Sequence, residues 1–217
     1  MRSTHWPVFL ILILGIPLNH VFAQQSVNTM TNLPLDMKSD SILKVSIKAD
    51  PSIPYQKVTS IKDAILSTNK FTKDGKVYYE GWQGALYEAS QHHAKLPMPT
   101  KLQIVDSLGD QGGLSINLSL AKENNGFVGW TTFEINDQHL TNVAIVIFDV
   151  NQLDDDQLKA LTKHELGHGL GLAHSDDPDD LMYDTVSTKH SSISECDIQA
   201  LADLYDGKEK SQVICEK

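Results

Sequence analysis

Residues 164–174 read His-Glu-Leu-Gly-His-Gly-Leu-Gly-Leu-Ala-His, and this stretch decides both the fold and the chemistry of the chain. His164 and His168 are four residues apart, so on a helix both imidazoles leave the same face one turn apart. Two ring nitrogens in that arrangement can reach one metal ion. Glu165 follows the first histidine and is angled away from the pair, which suits a base acting on metal-bound water. The spacing therefore predicts a metal-binding helix.

A third ligand requires the helix to end soon after His168. Gly171 stands at that point, and glycine tolerates the left-handed turn that reverses the chain. The reversal brings His174 back toward the pair as a third nitrogen ligand. Three protein ligands leave one position open for water, as in catalytic zinc sites. We therefore predict that these three histidines hold zinc and that Glu165 is the catalytic base.

Strand and helix patterns alternate upstream of this stretch. Strands are predicted over 42–48, 101–106, 114–120, 127–135 and 143–150, and helices over 58–67 and from Trp82 to before Pro97. Asp74-Gly75 is a turn signal. The carboxylates at 154–156 favour N-terminal capping of the long helix, with calcium binding as the alternative. The order of strand, helix, several strands and a long helix is that of an α+β or α/β fold.

Composition and charge exclude several classes of function. The chain has 217 residues, of which 41% are hydrophobic and 21% charged, as in globular domains. Lys+Arg number 18 against 28 Asp+Glu, giving a formal charge of −10, which argues against binding to nucleic acid or to an anionic lipid surface. Two cysteines cannot build a disulfide-rich scaffold or a four-thiolate zinc site.

The N-terminus has the pattern of a secretory signal peptide. Arg2 precedes an apolar run over residues 8–18, and Val21 and Ala23 are small residues at the −3 and −1 positions of a cut. The run is shorter than the roughly 20 apolar residues that span a bilayer. We expect a secreted protein without stable membrane insertion, the alternative being an uncleaved leader that anchors it at the cell surface. The predicted divisions are a signal peptide over 1–23, a linker or short pro-segment over 24–40, and a catalytic domain over 41–217.

The pattern His-Glu-x-x-His-x-x-Gly-x-x-His resembles the zinc signature of the metzincins. Met182 lies eight residues after His174, and Asp-Asp-Leu-Met-Tyr over 179–183 resembles the Met-turn that lies beneath the metal in that clan. The residue directly after the third histidine is Ser175, and a serine at this position resembles the matrixin pattern. The C-terminal part of the chain resembles the closing helix of matrixins at Asp197-Ile198, Leu204-Tyr205 and Gly207. The resemblance covers roughly residues 150–207, and residues 42–150 match only in the order of elements.

This resemblance implies an α+β metzincin fold. The expected parts are a twisted, mostly parallel five-stranded sheet with one antiparallel edge strand, an active-site helix, and a small C-terminal subdomain with the Met-turn and closing helix. It implies a monomeric zinc endopeptidase that binds an extended protein or peptide substrate along the edge strand, for which 127–135 is the candidate. The alternatives are a zinc-stabilised binding or inhibitory module without catalysis, and a narrow peptidase that processes an envelope protein.

The sequence departs from the matrixin pattern at several positions. Asp184 stands where matrixins usually have a proline after the Met-turn tyrosine, so the specificity pocket should differ. Cys196 replaces the first of two aspartates in the closing helix. An exported protein reaches an oxidising environment, and Cys196 and Cys215 are the only two cysteines, so we expect a disulfide between them. The His-x-Asp pattern of a second zinc is absent, so we predict one zinc ion. The candidate calcium ligands are Asp106, Asp110 and Asp149.

Overall fold

The computed structural model describes residues 20–25, 33–37, 41–92, 94–109, 113–124, 126–208 and 212–215, the first range by its backbone only. The helices are α1 (Tyr55–Leu66), α2 (Trp82–Ala89), α3 (Asp155–Gly169) and α4 (Glu195–Tyr205). The strands are β1 (His20–Gln25), β2 (Ile42–Ala49), β3 (Lys70–Lys73), β4 (Lys76–Tyr79), β5 (Lys101–Val105), β6 (Leu114–Leu118), β7 (Gly129–Asn136), β8 (His139–Ile147), β9 (Thr185–Ser187) and β10 (Ile193–Ser194).

A mixed sheet forms the main layer. Its five-stranded body has the order β5-β2-β6-β8-β7, in which the first four strands are parallel and β7 runs antiparallel to β8. The predicted α+β fold with one antiparallel strand is therefore confirmed. Beyond β7 the sheet continues through β1, which is parallel to β7, and then β9, which is antiparallel to β1. The antiparallel strand predicted as the edge thus has the N-terminal segment beside it.

The apolar strand predicted over 143–150 is β8, which lies between β6 and β7. Val143 and Ile145 are buried on the face that packs against Gly169 of α3. Ala144 and Val146 alternate with them and are only half-buried. One face of this strand therefore packs against the long helix, and its apolar composition agrees with its interior place in the sheet.

Helix α3 begins with a capping box. The Asp154 side chain accepts a hydrogen bond from Gln157 N at 2.8 Å, and Gln157 Oε1 accepts one from Asp154 N at 2.9 Å. Asp155 and Asp156 lie in the first turn, where the helix dipole favours negative charge. A cap of this kind stabilises a helix by about 1 kcal/mol. The geometry supports the capping interpretation of the acidic triplet.

A second, smaller sheet has the order β10-β4-β3. The predicted turn at Asp74-Gly75 connects β3 and β4, and both turn residues have positive φ, 51° and 79°. The sequence predicted the turn but not the two short strands. Next to this hairpin, α2 is attached to α3 by the buried Trp82, whose Nε1 donates to the carbonyl of Lys163 at 2.7 Å. This bond attaches α2 to α3 at the residue before His164.

Part of the predicted linker packs against the sheet and α4. Leu35 and Met37 are buried, and Leu35 N donates to the hydroxyl of Tyr205 in α4 at 3.2 Å. Asp36 N donates to the carbonyl of Leu140 in β8 at 2.9 Å. These contacts attach residues 33–37 to both the sheet and the closing helix.

Among the described helices, none has the length and apolar character needed to cross a membrane. The apolar run predicted as the core of a signal peptide, residues 8–18, lies outside the described residues.

Candidate metal centre

Two histidines project from α3 into one buried space. His164 and His168 are fully buried, and their Nε2 atoms lie 3.0 Å apart. The Nδ1 atom of His164 is 2.8 Å from the carbonyl oxygen of Leu181, and that of His168 is 2.8 Å from the carbonyl oxygen of Leu172. Because a carbonyl oxygen only accepts, we assign the ring hydrogen to Nδ1 in both cases. The Nε2 lone pairs are then free to face a metal.

Gly171 supplies the chain reversal that the sequence predicted. Its φ is +103°, and a Cβ there would lie 2.6 Å from the carbonyl oxygen of Leu33 and 2.7 Å from Leu204 Cδ2. No other residue fits both the backbone conformation and the space. After this turn, the ring of His174 lies 5.5 Å from that of His164 and 4.8 Å from that of His168, measured between centroids. The structure thus brings the three predicted ligands together.

The donor set fits a zinc ion. The ligand atoms of the three histidines all lie within 4.8 Å of one another. Burial lowers the pKa of His164 to about 3 and also lowers the pKa values of His168 and His174. All three rings are therefore neutral, which is the form that binds metal. The buried His174 Nε2 has no hydrogen-bond partner among the described residues, as expected for a ligand atom.

Glu165 follows His164 in α3, and its carboxyl group is hydrogen-bonded to the sheet. Thr131 of β7 donates from Oγ1 to Glu165 Oε2 at 2.5 Å, and both residues are fully buried. The other carboxyl oxygen, Oε1, has no partner within the described part of the chain. Burial raises the pKa of Glu165 to about 8, and the Thr131 hydrogen bond opposes that rise. Strand β7 therefore orients the carboxyl group and leaves one oxygen free.

Strand β7 approaches Glu165 so closely that only glycine fits at position 129. A Cβ on Gly129 would collide with Glu165 Oε1 and would lie 2.8 Å from Leu161 Cδ1. We expect Gly129→Ala to displace the carboxyl group and lower kcat/KM by about 100-fold, the cost of a roughly 1 Å misplacement. The measurement is peptide hydrolysis at equal zinc content. Thr132→Ala, at an exposed position of the same strand, is the control. Equal activity of both variants would contradict this positioning.

The predicted Met-turn lies directly against α3. Met182 is fully buried, and its side chain packs so closely on Gly167 that a Cβ there would collide with its sulfur. Ser175 N donates to the Met182 carbonyl at 2.7 Å, which closes the loop after the third histidine. The neighbouring Leu181 carbonyl accepts the hydrogen bond from His164. The turn therefore supports the metal site by packing and through its backbone.

Met182→Leu is expected to keep most of the activity. Leucine roughly conserves the volume, and such exchanges usually cost less than about 1.5 kcal/mol of unfolding free energy. Met182→Ala is the matched comparison and should cost about 2–5 kcal/mol, because it leaves a cavity. Denaturant unfolding measures both values. A large loss of zinc in the leucine variant would instead mean that the sulfur atom itself matters.

The Cys196–Cys215 disulfide is present, with Cα atoms 5.3 Å apart and a sequence separation of 19. It attaches the C-terminal segment to the first turn of α4. In the chain-entropy model a loop of this size is worth about 3 kcal/mol. The same segment reaches the site through a bridge between Val213 and Ser175.

The candidate calcium ligands are not brought together in the described part of the chain. Two described groups bring three possible metal-binding side chains together: His164, His168 and His174, and Asp180, Cys196 and Cys215, of which the two cysteines are disulfide-bonded and offer no thiolate. Neither includes Asp106 or Asp149, and Asp110 lies outside the described residues. Calcium binding stays a prediction.

Sequence reasoning missed the residues that orient the centre. Thr131 and Gly129 lie against Glu165 although they belong to a strand far upstream in the sequence. Thr131, for example, precedes Glu165 by 34 positions. A lone threonine or glycine in a strand carries no signal of such a contact. The backbone carbonyls of Leu172 and Leu181 fix the imidazole rings, and a backbone group has no sequence signature at all.

The three histidines of a helix and its return loop, with the buried Met182 packed against that helix, are arranged as the metzincin resemblance implies. Residues 110–206 match the matrixin family model, so this part of the chain is similar to the matrixins. The chain is 45% identical over 56 residues to matrilysin from Felis catus, covering 24% of this chain and 21% of the relative. It is 36% identical over 67 residues to a probable matrix metalloproteinase 095L from Invertebrate iridescent virus 3, covering 31% and 18%.

The chain thus spans about a fifth of the length of these curated relatives. Matrixins are zinc metalloendopeptidases that act on proteins or peptides and are mostly extracellular, so the matches support that general class.

Proposed function

We propose that the chain is a secreted zinc endopeptidase in which His164, His168 and His174 hold the metal and Glu165 is the general base. The observation that carries the proposal is the convergence of three neutral imidazoles beside a buried carboxyl group. A zinc ion held there supplies Lewis acidity, which activates a water molecule and polarises the carbonyl of a scissile peptide bond.

Glu165 would carry out the proton transfers. Thr131 holds Oε2, so Oε1 is the oxygen free to meet a water molecule. Burial favours the neutral acid, as the pKa of about 8 indicates, while a nearby dication favours the carboxylate. These opposing influences suit a group that takes a proton from water and then returns it to the leaving amine.

The substrate is proposed to pair with β7 as an added strand. Within the described ranges, the backbone of β1 lies in that position: Gln24 pairs in parallel with Trp130 of β7, and Val21 pairs antiparallel with Val186 of β9. This pairing supports the idea that β7 and β9 can accept an extended chain between them. The predicted cut after Ala23 would separate residues 20–23 from the chain, leaving Gln24 and Gln25 of β1.

Hydrolysis of casein or gelatin by residues 24–217 tests the proposal, with and without a zinc chelator. We expect cleavage that the chelator abolishes and added zinc restores. Zinc bound at one ion per chain with no cleavage of any protein would contradict it and favour a binding or inhibitory module. Cleavage that persists after complete removal of zinc would contradict the role of the metal.

A further inference from the structure

Two buried carboxyl groups meet between the Met-turn and α4. Asp180 lies two residues before Met182 and is 7% exposed, and Asp197 lies in the first turn of α4 and is fully buried. In the described part of the chain, neither carboxyl group forms an ion pair with a lysine or histidine. Two uncompensated negative charges at such a place would be very costly.

Each carboxyl oxygen of Asp180 accepts a short hydrogen bond. Met182 N donates to its Oδ1 at 2.8 Å, and Ser194 Oγ donates to its Oδ2 at 2.7 Å. These bonds stabilise a carboxylate at this position.

Asp197 has a poorer set of donors. Its Oδ2 accepts from Ser194 N at 2.8 Å, while its Oδ1 has no hydrogen-bond donor among the described groups. Ser194 Oγ lies 3.2 Å from Asp197 Oδ2 and 2.7 Å from Asp180 Oδ2, so one hydroxyl brings the two carboxyl groups into contact. A hydrogen bond between two carboxyl groups requires a proton on one of them.

We propose that Asp180 and Asp197 share one proton at neutral pH, with Asp197 as the acid that donates and Asp180 as the carboxylate, and that this pair positions the Met-turn beneath the metal centre. Burial raises the pKa of Asp197 well above its usual range, and the adjacent Asp180 raises it further. Burial also raises the pKa of Asp180, whereas its hydrogen bonds with Ser194, Met182 and Asp197 lower it. Like-charged carboxyl groups in contact cannot both ionise at low cost.

Among the described residues, one further charged group acts on the pair. Asp177, in the loop before the turn, raises the pKa of Asp180 through its negative charge. The C-terminal segment contributes Cys215, whose Sγ lies 3.6 Å from Asp180 Oδ2 and which is disulfide-bonded and uncharged. Helix α4 contributes Ser194 at its N-cap and Asp197 itself. The proton therefore belongs to the pair rather than to a nearby base.

The pair acts on the metal site through the backbone of the turn. Asp180 fixes Met182 N, and the carbonyl of the intervening Leu181 accepts the hydrogen bond from His164 Nδ1. Asp180 is in this account a positioning residue that never touches the metal. The inference goes beyond peptidase activity, because the same pair would support a zinc site without turnover.

The first test is the pH dependence of stability. Unfolded Asp197 loses its proton near pH 4, whereas the folded chain keeps it to higher pH. The folded state then binds more protons, so the free energy of unfolding falls as pH rises from about 4 toward the folded pKa. Asp197→Asn keeps the shape, a donor and an acceptor but cannot ionise. We expect this variant to lose less stability than the wild type between about pH 5 and pH 8.

Denaturant unfolding of the zinc-loaded chain measures that difference. Asp176→Asn, an exposed residue of the neighbouring loop, is the control and should follow the wild type. Parallel pH profiles of wild type and Asp197→Asn would overturn the shared proton. If Asp197→Asn fails to fold, carboxyl ¹³C chemical shifts of the wild type decide: one of the two carboxyl groups should be protonated at pH 7, and two groups titrating near pH 4 would overturn the proposal.

The positioning role is tested by zinc affinity, without any measurement of turnover. Asp180→Ala should weaken zinc binding by about 10-fold or more, as is typical for the loss of a residue that orients a ligand. Asp180→Asn keeps an oxygen that accepts from Met182 N and should restore most of the affinity. Wild-type zinc affinity in the alanine variant would overturn the positioning role, whatever the outcome of the peptidase assay.

Discussion

Glu165→Ala is expected to lower kcat for a protein substrate by about 10²- to 10⁴-fold while one zinc ion per chain is retained. The carboxyl group is hydrogen-bonded to Thr131 of the sheet and is not one of the three clustered donors, so its loss should remove a base and not a ligand. Turnover and elemental analysis of the same preparation measure the two effects separately.

Glu165→Gln is the matched variant for this experiment. The amide has the shape of the carboxylic acid and can still accept a hydrogen bond from Thr131, but it cannot take a proton from water. We therefore expect it to be nearly as inactive as the alanine variant and better folded. Loss of stoichiometric zinc from either variant would overturn the assignment of Glu165 as the base.

His174→Ala is expected to weaken zinc binding strongly, because it removes one of three protein ligands. The loss should exceed the roughly 10- to 100-fold that follows when only a residue hydrogen-bonded to a ligand is removed. Its Nε2 atom has no other partner in the described part of the chain, so no second role should mask the loss. Competition with a chromophoric chelator measures the affinity.

His190→Ala controls for the loss of a histidine outside the centre. His190 lies 3.4 Å from a carboxylate oxygen of the exposed Asp179, and its replacement should leave zinc affinity unchanged. If zinc content and activity both survive in His174→Ala, the third ligand lies elsewhere and the metzincin interpretation is wrong.

The histidine centre was predictable because its geometry is local. A spacing of four on a helix and a glycine that reverses the chain are enough to bring His164, His168 and His174 together. The interior position of β8 was likewise predictable from its apolar composition. Both signals lie within short windows, where helical or strand periodicity determines which residues share a face.

Contacts between distant segments were not predictable. The register that places Thr131 and Gly129 against Glu165 depends on how β7 lies across α3. Sequence comparison with the matrixin pattern left Asp197 as an unpaired residue of the closing helix. Its partner, Asp180, comes from the Met-turn 17 positions earlier, and only the tertiary structure brings the two together.

Strand β1 is a further case. The apolar run and small residues over 1–23 predict a signal peptide, and such a pattern says nothing of pairing with the sheet. The backbone of His20–Gln25 nevertheless lies between β7 and β9. The sequence therefore predicts where this segment would be cut, and the structure describes its strand position between β7 and β9.

Zinc-edge X-ray absorption on purified residues 24–217 tests the central claim most directly. The three-histidine centre predicts nitrogen ligands at about 2.0–2.1 Å with an imidazole scattering pattern and no sulfur. Zinc bound by Cys196 and Cys215 would give sulfur at about 2.3 Å, but only after reduction of the disulfide that joins them. Three imidazole nitrogens would support the account, and sulfur ligation or the absence of histidine scattering would contradict it.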